Sequence, residues 1–388
     1  MNYYKIAKKR RIKKMLNIKD LSFWEKSLYF EGLDFTIIGA GIVGLSTAIF
    51  LKEKFPRSKI LILERGYLPS GASTKNAGFA CFGSPTELYD DLSKISDEKV
   101  WNTFSLRYEG LKTLFELIDA KKIGYEKCGS WDLISKKEEL LQDDFIAYIN
   151  EKSFEICGVK NIYREDKMAI RNFGFQNIYS TYSNSEEGTI NTGKLISELY
   201  KKATNLGILS LFGIEVKTFE SNGKEVFLET NFGEFKSANS IFCTNGFAKQ
   251  FLDDDIQAAR AQVLITKPIS DLKIKGSFHY DAGYYYFRNI ENRVLFGGGR
   301  NLNFEREATD KFGTSEDIQD SLLHLLQTVI LPDTKFEIDY AWSGIMGIGK
   351  DKSPIIKKTS NNVAFGVRMG GMGIAIGAEV GKSLSKLF

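Results

Sequence analysis

The first strong pattern along the chain is an apolar run without alternation. Asp34-Phe35-Thr36-Ile37-Ile38 reads as a strand buried on both faces, as parallel strands are. Residues 45–54 then have the length and spacing of a helix, which Pro56 ends, and Lys59-Ile60-Leu61-Ile62-Leu63 predicts a second strand closing on Glu64. Strand, helix, strand within about thirty residues is how a doubly wound dinucleotide-binding unit begins. A short helix is expected earlier, around residues 21–30. Residues 71–84, rich in Gly, Ser, Thr and Asn, carry no hydrophobic period, so something other than their own core must hold them.

Between residues 86 and 187 charged helical patterns dominate, for example at 100–120, and the early alternation stops. A helix at 192–206, strands at 207–211 and 215–218, a meander at 225–230 and 234–238, and a strand at 240–243 return the chain to its first lobe, which is therefore discontinuous. From 260 to 296 aromatic strands follow, at 262–266, 283–289 and 293–296. They predict an antiparallel sheet in a second lobe.

Composition narrows the chemistry. At 388 residues with 43% hydrophobic content, two lobes are the natural expectation. The net charge of +4 misleads, because seven Lys/Arg fall within residues 1–14 and the remainder carries −3. A mildly acidic body argues against nucleic acid as the main partner. The basic leader, residues 1–20, is expected to be a disordered tail, or Met15 the true start. No apolar stretch follows it as a secretory signal would require, and the apolar run 35–51 is broken by three glycines, Ser46 and Thr47, so no membrane span is expected. Cysteines at 81, 128, 157 and 243 form no CxxC pair, which fits a reducing, cytoplasmic setting. With only His279 and His324, a metal centre or a Ser-His-Asp relay lacks raw material.

Gly39-Ala40-Gly41-Ile42-Val43-Gly44 sits between the first strand and the helix. Its glycines suit a tight turn, a close approach to pyrophosphate, and close helix packing, and the helix start offers N–H groups to phosphate. Glu64, with Arg65 beside it, ends the next strand where a ribose would lie. A lone motif of this kind also arises as a chance turn; the flanking strand, helix and carboxylate favour a dinucleotide. A rival, Gly188-Thr189-Ile190-Asn191-Thr192-Gly193-Lys194, has the spacing of a phosphate loop but is followed by Leu195 where a magnesium-binding hydroxyl is needed. Two further glycine-rich segments, 71–83 and 366–373, favour FAD over NAD, the second preceding an apolar helical run at 374–384 whose start would point into the site.

These patches together resemble the D-amino-acid oxidase superfamily, which contains glycine oxidase, sarcosine oxidase and gamma-glutamylputrescine oxidase. The resemblance runs from about Phe35 to the C-terminus and rests on the fingerprint with Glu64, on Gly71-Ala72-Ser73-Thr74-Lys75-Asn76-Ala77-Gly78, on Tyr284-Tyr285-Tyr286-Phe287-Arg288 with Gly297-Gly298, and on Trp342-Ser343-Gly344, Asp351, Pro354 and the 366–373 turn. It implies a fold of α/β plus α+β class, a Rossmann-like FAD-binding domain interleaved with a mostly antiparallel-sheet substrate domain. The expected division is 30–85, 186–256 and 340–388 for the first and 86–185 with 257–339 for the second. By position it implies that Ser73, Thr74, Asn76, Ala77 and Gly78 contact pyrophosphate and flavin, that Val216 meets adenine, that Thr244 and Gly246 close over the cofactor, and that Gly371, Met372 and Gly373 face the flavin's pyrimidine edge.

Two departures matter. Sarcosine-oxidase-like members attach FAD to a cysteine where this chain has Gly344, and no cysteine follows Cys243, so non-covalent FAD is expected. Glycine-oxidase-like members grip the substrate carboxylate with an arginine two residues after Trp-x-Gly, where this chain has Met346. Arg288, Arg300 or Arg368 could substitute, or the substrate could be an amine or a larger N-substituted amino acid. Tyr284 and Arg288, sharing a strand face with Tyr286, are the first candidates for substrate contact. The implied reaction is oxidation of a C–N bond by hydride transfer to FAD, with oxygen or another acceptor taking the electrons. A flavin-bound accessory protein without turnover is the reading from a different class.

Overall fold

The computed structural model describes residues 17–388; the basic run of residues 1–14 lies outside them. Strand Phe35–Ile38 is central in a six-stranded sheet, parallel to Ile60–Glu64 on one side and Asn239–Phe242 on the other. Leu209–Phe212 and Val363–Val367 extend the parallel set, and Ile355–Ser360 closes one edge antiparallel. Every residue of Phe35–Ile38, Ile60–Glu64 and Val363–Val367 is buried, as unalternating apolar strands require cover on both faces. One cover is helical, with Ile42–Lys54 and Gly373–Lys386 packed on the sheet. The other is the meander Val216–Ser221, Val226–Thr230 and Gly233–Ser237, whose Val216, Val226 and Leu228 meet Ile38, Leu61, Leu63 and Phe242.

An eight-stranded sheet forms the second layer system. Its order runs Ile338–Ile348, Gln257–Thr266, Arg293–Gly298, Tyr285–Ile290, Ser277–Tyr280, Ser130–Ile134, Ser180–Asn184, Tyr163–Glu165, and only Ser277–Tyr280 with Ser130–Ile134 is parallel. Strand alternation sorts its two faces. Phe278, Phe287 and Phe296 turn to a core shared with Ile318, Leu322 and Leu326. On the opposite face Asp132, His279, Tyr286, Gly297, Val263 and Trp342 are successive cross-strand partners in one row.

Two elements link the expected lobes. Helix Asp97–Leu117, assigned to the second lobe, sends Phe104, Leu111 and Leu114 into the core of the first sheet's helices. It lies so close to the C-terminal helix that a Cβ on Gly110 would run into the Ala375 carbonyl. Strand Ile338–Ile348 spans residue 340 and pairs with Gln257–Thr266 along its whole length, from Gln257 opposite Ile348 to Thr266 opposite Ile338.

The segment without hydrophobic period is held from outside, as its composition demands. After the short helix Ala72–Lys75, the Trp342 indole N–H donates to the Lys75 carbonyl at 3.1 Å, and strand Phe79–Ala80 pairs with Gly188–Thr189. The rival phosphate loop is thereby part strand, and Asn191 caps the next helix by accepting from the Lys194 N–H at 2.9 Å. Among the described residues no helix is long and apolar enough to cross a membrane, and all four cysteines are unpaired.

Candidate active site between the two sheets

A cavity of about 570 Å³ runs from the carboxyl ends of the parallel strands to the polar row of the second sheet. At its first end Gly39 turns the chain with φ of 108°, and a side chain on Gly44 would collide with the Gly39 carbonyl, so the helix seats directly on the turn. Ser73 crosses over to accept the Ile42 N–H at 3.0 Å. The Glu64 carboxylate accepts N–H groups of Ala40 at 3.1 Å and Gly66 at 2.9 Å, and still lines the cavity. Arg65 stacks on Phe247, 3.7 Å from the ring centre.

Gly39, Gly41, Ile42, Ser73, Asn76, Ala77, Gly78, Val216, Thr244, Gly344, Met346, Gly371, Met372 and Gly373 also line the cavity. Ala40, Gly44, Thr74 and Gly246 do not line it. Ala40 and Gly44 shape the turn from behind. Thr74 donates to the Pro69 carbonyl at 2.6 Å, and a Cβ on Gly246 would strike the Met346 carbonyl. The Asn76 carboxamide is committed within its loop, donating to Ala72 and Ser73 carbonyls at 3.0 and 2.9 Å and accepting from the Gly78 N–H at 2.8 Å. These side chains brace the loop along the cavity.

At the second end lie Tyr284, Tyr286, His279 and Arg300. Phe79, from the loop after Gly78, packs edge-on against His279 and Tyr286 with centroids 5.3 and 5.9 Å apart. Burial pushes the Tyr286 hydroxyl up to about 12. Beside this wall Lys352 donates to Glu87 at 2.7 Å and Asp91 at 2.8 Å, and Arg107 donates to Glu87 at 3.2 Å. Burial alone would raise the Glu87 carboxyl, but Arg107 and Lys352 outweigh it and hold it well below the usual range. Asp91 goes the other way, raised by burial.

Two nominated arginines are elsewhere. Arg288 shares the strand face of Tyr284 and Tyr286, yet its guanidinium is captured by the Gly78 and Ile190 carbonyls at 3.1 and 2.9 Å, tying the two layers together behind the cavity. Arg368 is held by Asp255 at 2.9 Å, Asp351 at 2.8 Å and the Ser353 carbonyl at 2.9 Å, in a left-handed conformation with φ of 64°. Neither lines the cavity.

A family model described as FAD dependent oxidoreductase matches residues 34–387. The chain belongs to that family. The oxidoreductase is 21% identical over 375 residues to the probable oxidoreductase OrdL of Haemophilus influenzae, covering 92% of this chain and 83% of the relative. Its fold is that of L-proline dehydrogenase from P. horikoshii, with a TM-score of 0.73, 17% identity and 92% and 93% of the two chains covered. Glycine oxidase from Geobacillus kaustophilus superposes with a TM-score of 0.72, 19% identity and 91% and 94% coverage.

FAD is thus the oxidoreductase's cofactor, and the cavity suits it. Gly41 and Met372, the residues preceding helices Ile42–Lys54 and Gly373–Lys386, give no side-chain cap, so apart from the Ile42 N–H taken by Ser73 the first-turn N–H groups of both helices are left for a ligand in the space. The Thr244 hydroxyl is buried without a partner among the described residues, and Glu64 ends the strand beside the phosphate turn. With Gly344 in the linking position, the flavin is held without a covalent bond.

The oxidoreductase's polar wall was the part least visible in sequence. His279 is 8% exposed, its Nε2 is buried without a partner, and it reaches the cavity through cross-strand neighbours far apart in the chain. Glu87 and Asp91, four residues apart on helix Pro85–Lys94, share one helix face, and that spacing is the sequence signal they carry. Cys81, Glu187 and His279 also bring ligand-type atoms within 4.8 Å of one another. Glu187 is already engaged by the Phe82 and Gly83 N–H groups at 2.6 and 3.1 Å and by the Ser130 hydroxyl, which accounts for its burial as a structural carboxylate.

Proposed function

We propose that the protein oxidises the C–N bond of an amine or amino acid to an imine, which water then hydrolyses to a carbonyl compound and ammonia or an amine. The observation that carries this reading is the cavity's second wall: aromatic and polar side chains of the sheet, Tyr284, Tyr286, His279 and Arg300, share one space with the FAD-binding turn. Bound FAD supplies the chemistry, accepting two electrons and a proton as hydride from the carbon bearing nitrogen. The chain's own work is to orient that carbon and to exclude water.

Phe79, Tyr286 and Met346 form the apolar part of the enclosure against which the carbon skeleton would rest. The amine must be neutral to give up hydride. His279, the imidazole lining the cavity, is the group we assign to hold the departing N–H proton at a ring nitrogen. Glu87, Asp91, Lys352 and Arg107 neutralise one another and keep that side of the wall polar without a net charge.

Mixing the FAD-loaded protein without oxygen with a panel of amino acids, N-methyl amino acids, and primary and secondary amines tests the proposal. At least one compound is expected to bleach the flavin's visible absorbance, with one imine-derived carbonyl formed per flavin. A panel that bleaches nothing, under conditions where dithionite does, refutes it.

A further inference from the structure

We propose that Arg300, with Tyr284 beside it, is the carboxylate-binding site of this enzyme, so that its substrate is an amino acid or N-substituted amino acid and not a simple amine. The inference rests on the C–N reading above and assigns the substrate class of that same cavity.

The assignment follows from where each of the cavity's positive charges sits, which of them are paired, and which lies beside the substrate wall. Three arginines line it. Arg107 is committed to Glu87 and to the Phe82 carbonyl at 3.2 Å. Arg65 lies over Phe247 at the Glu64 end, with the dinucleotide turn. Among the lysines, Lys352 serves Glu87 and Asp91, Lys94 binds Asp90 at 2.6 Å, the Lys75 ammonium lies over Phe312 at 5.1 Å, and Lys350, whose backbone N–H donates to Asp255 at 2.7 Å, is exposed to solvent at the cavity's rim. The Arg300 guanidinium makes no hydrogen bond or ion pair among the described residues and lies over the Phe304 ring, 4.7 Å from the centre, at the Tyr284 end of the cavity. It is half-buried, and burial lowers its affinity for the proton relative to an ordinary arginine, the cost of holding an unpaired cation there. A carboxylate bound in the cavity would remove that cost.

Local backbone geometry builds the site. Strand Arg293–Gly298 ends in two residues of positive φ, Gly298 at 130° and Gly299 at 76°, which turn the chain back so that Arg300 faces the cavity. The Gly299 N–H donates to the Tyr284 carbonyl at 3.1 Å, fixing the two side chains as neighbours at the cavity wall. A planar guanidinium forks onto the two oxygens of a carboxylate, and the adjacent phenol offers one more donor. Met346, across the cavity, has only a thioether for a carboxylate, and its Sδ packs 3.9 Å from where a Gly371 side chain would begin. The carboxylate grip has moved from that wall to the strand end after Gly299.

The experiment has two arms on the FAD-loaded protein. In the first, small carboxylates without an oxidisable C–N bond, acetate, propionate and benzoate, are titrated while the flavin's visible spectrum is followed. At least one is expected to bind the wild type, and Arg300→Leu is expected to weaken that binding about 100-fold, with Arg300→Lys intermediate. In the second, the ratio of kcat/KM for an amino acid to that for its decarboxylated amine is expected to fall about 100-fold in Arg300→Leu, chiefly through KM. Unchanged flavin content and thermal midpoint establish that the variant is folded. Carboxylates that bind wild type and Arg300→Leu equally, or not at all, overturn the proposal, as does an unchanged substrate ratio. Carboxylate binding that depends on Arg300 in a protein that oxidises no amine and no amino acid would instead keep the site and sink the C–N reading.

Discussion

The contact between Gly41 and Ser73 gives the dinucleotide turn a quantitative test. Gly41 has φ of −78° and ψ of −174°, extended backbone that alanine adopts without strain. A Cβ there would nevertheless sit 2.8 Å from Ser73 Oγ, at least ~0.6 Å inside the 3.4 Å at which ordinary contact starts, while Ser73 Cβ stays 3.7 Å away. The hydroxyl must therefore swing off the Ile42 N–H it accepts at 3.0 Å. Losing that bond costs about 1 kcal/mol, whereas Gly→Ala in an unstrained position gains about 0.4–1 kcal/mol through the unfolded chain. Gly41→Ala alone is expected to be destabilising or at best neutral. In a Ser73→Ala background, where the obstructing oxygen is gone, it is expected to stabilise, so the two substitutions couple by about 1 kcal/mol, the worth of the lost bond. Urea unfolding of the four flavin-free proteins measures this apart from any effect of Gly41 on phosphate. An identical shift from Gly41→Ala in both backgrounds would refute the reasoning.

Other outcomes follow from named contacts. Glu307→Ala should lower folding stability by about 3–5 kcal/mol in denaturant titration, because the carboxylate is fully buried against Arg260 at 2.7 and 2.8 Å and leaves that cation without its partner. Trp342→Phe should weaken FAD binding about fivefold, equivalent to the ~1 kcal/mol of its bond to the Lys75 carbonyl, measured by flavin fluorescence titration; unchanged affinity would mean the bond does not hold the loop. Glu87 has its folded-state pKa depressed, so its contribution to stability is full above the unfolded carboxylate pKa of about 4.3 and is lost as pH falls toward the lower folded value. The difference in thermal midpoint between wild type and Glu87→Gln should therefore narrow from pH 5 to pH 3; a constant or widening difference contradicts the pairing with Arg107 and Lys352.

What the sequence made legible was local. Gly39, Gly41 and Gly44 lie within six residues of one another, between a strand and a helix that announce themselves by period, and Glu64 ends the next strand. Strand alternation also put Tyr284 and Tyr286 on one face, and both line the cavity. The same alternation misled for Arg288: a long side chain goes where acceptors are, and the Gly78 and Ile190 carbonyls captured it. Arg368 was hidden similarly, since nothing in the chain between Asp255 and Arg368 tells that the two meet. Two histidines are too few for a metal cage or a Ser-His-Asp relay, and nothing local marks His279, because its place in the row with Asp132 and Tyr286 depends on strand pairings that join residues nearly 150 positions apart. Arg300 was one of three arginines by sequence, and becomes distinct from the other two through the partners they have and it lacks.

The central claim, that flavin in this cavity takes hydride from a carbon bearing nitrogen, is tested most directly by the nitrogen balance of a single turnover. With the best substrate of the panel, each flavin reduced without oxygen should yield one equivalent of ammonia or released amine together with one of 2-oxo acid or aldehyde. Flavin reduction that yields the carbonyl product from a hydroxy acid, with no nitrogen released by any amine or amino acid, would contradict it.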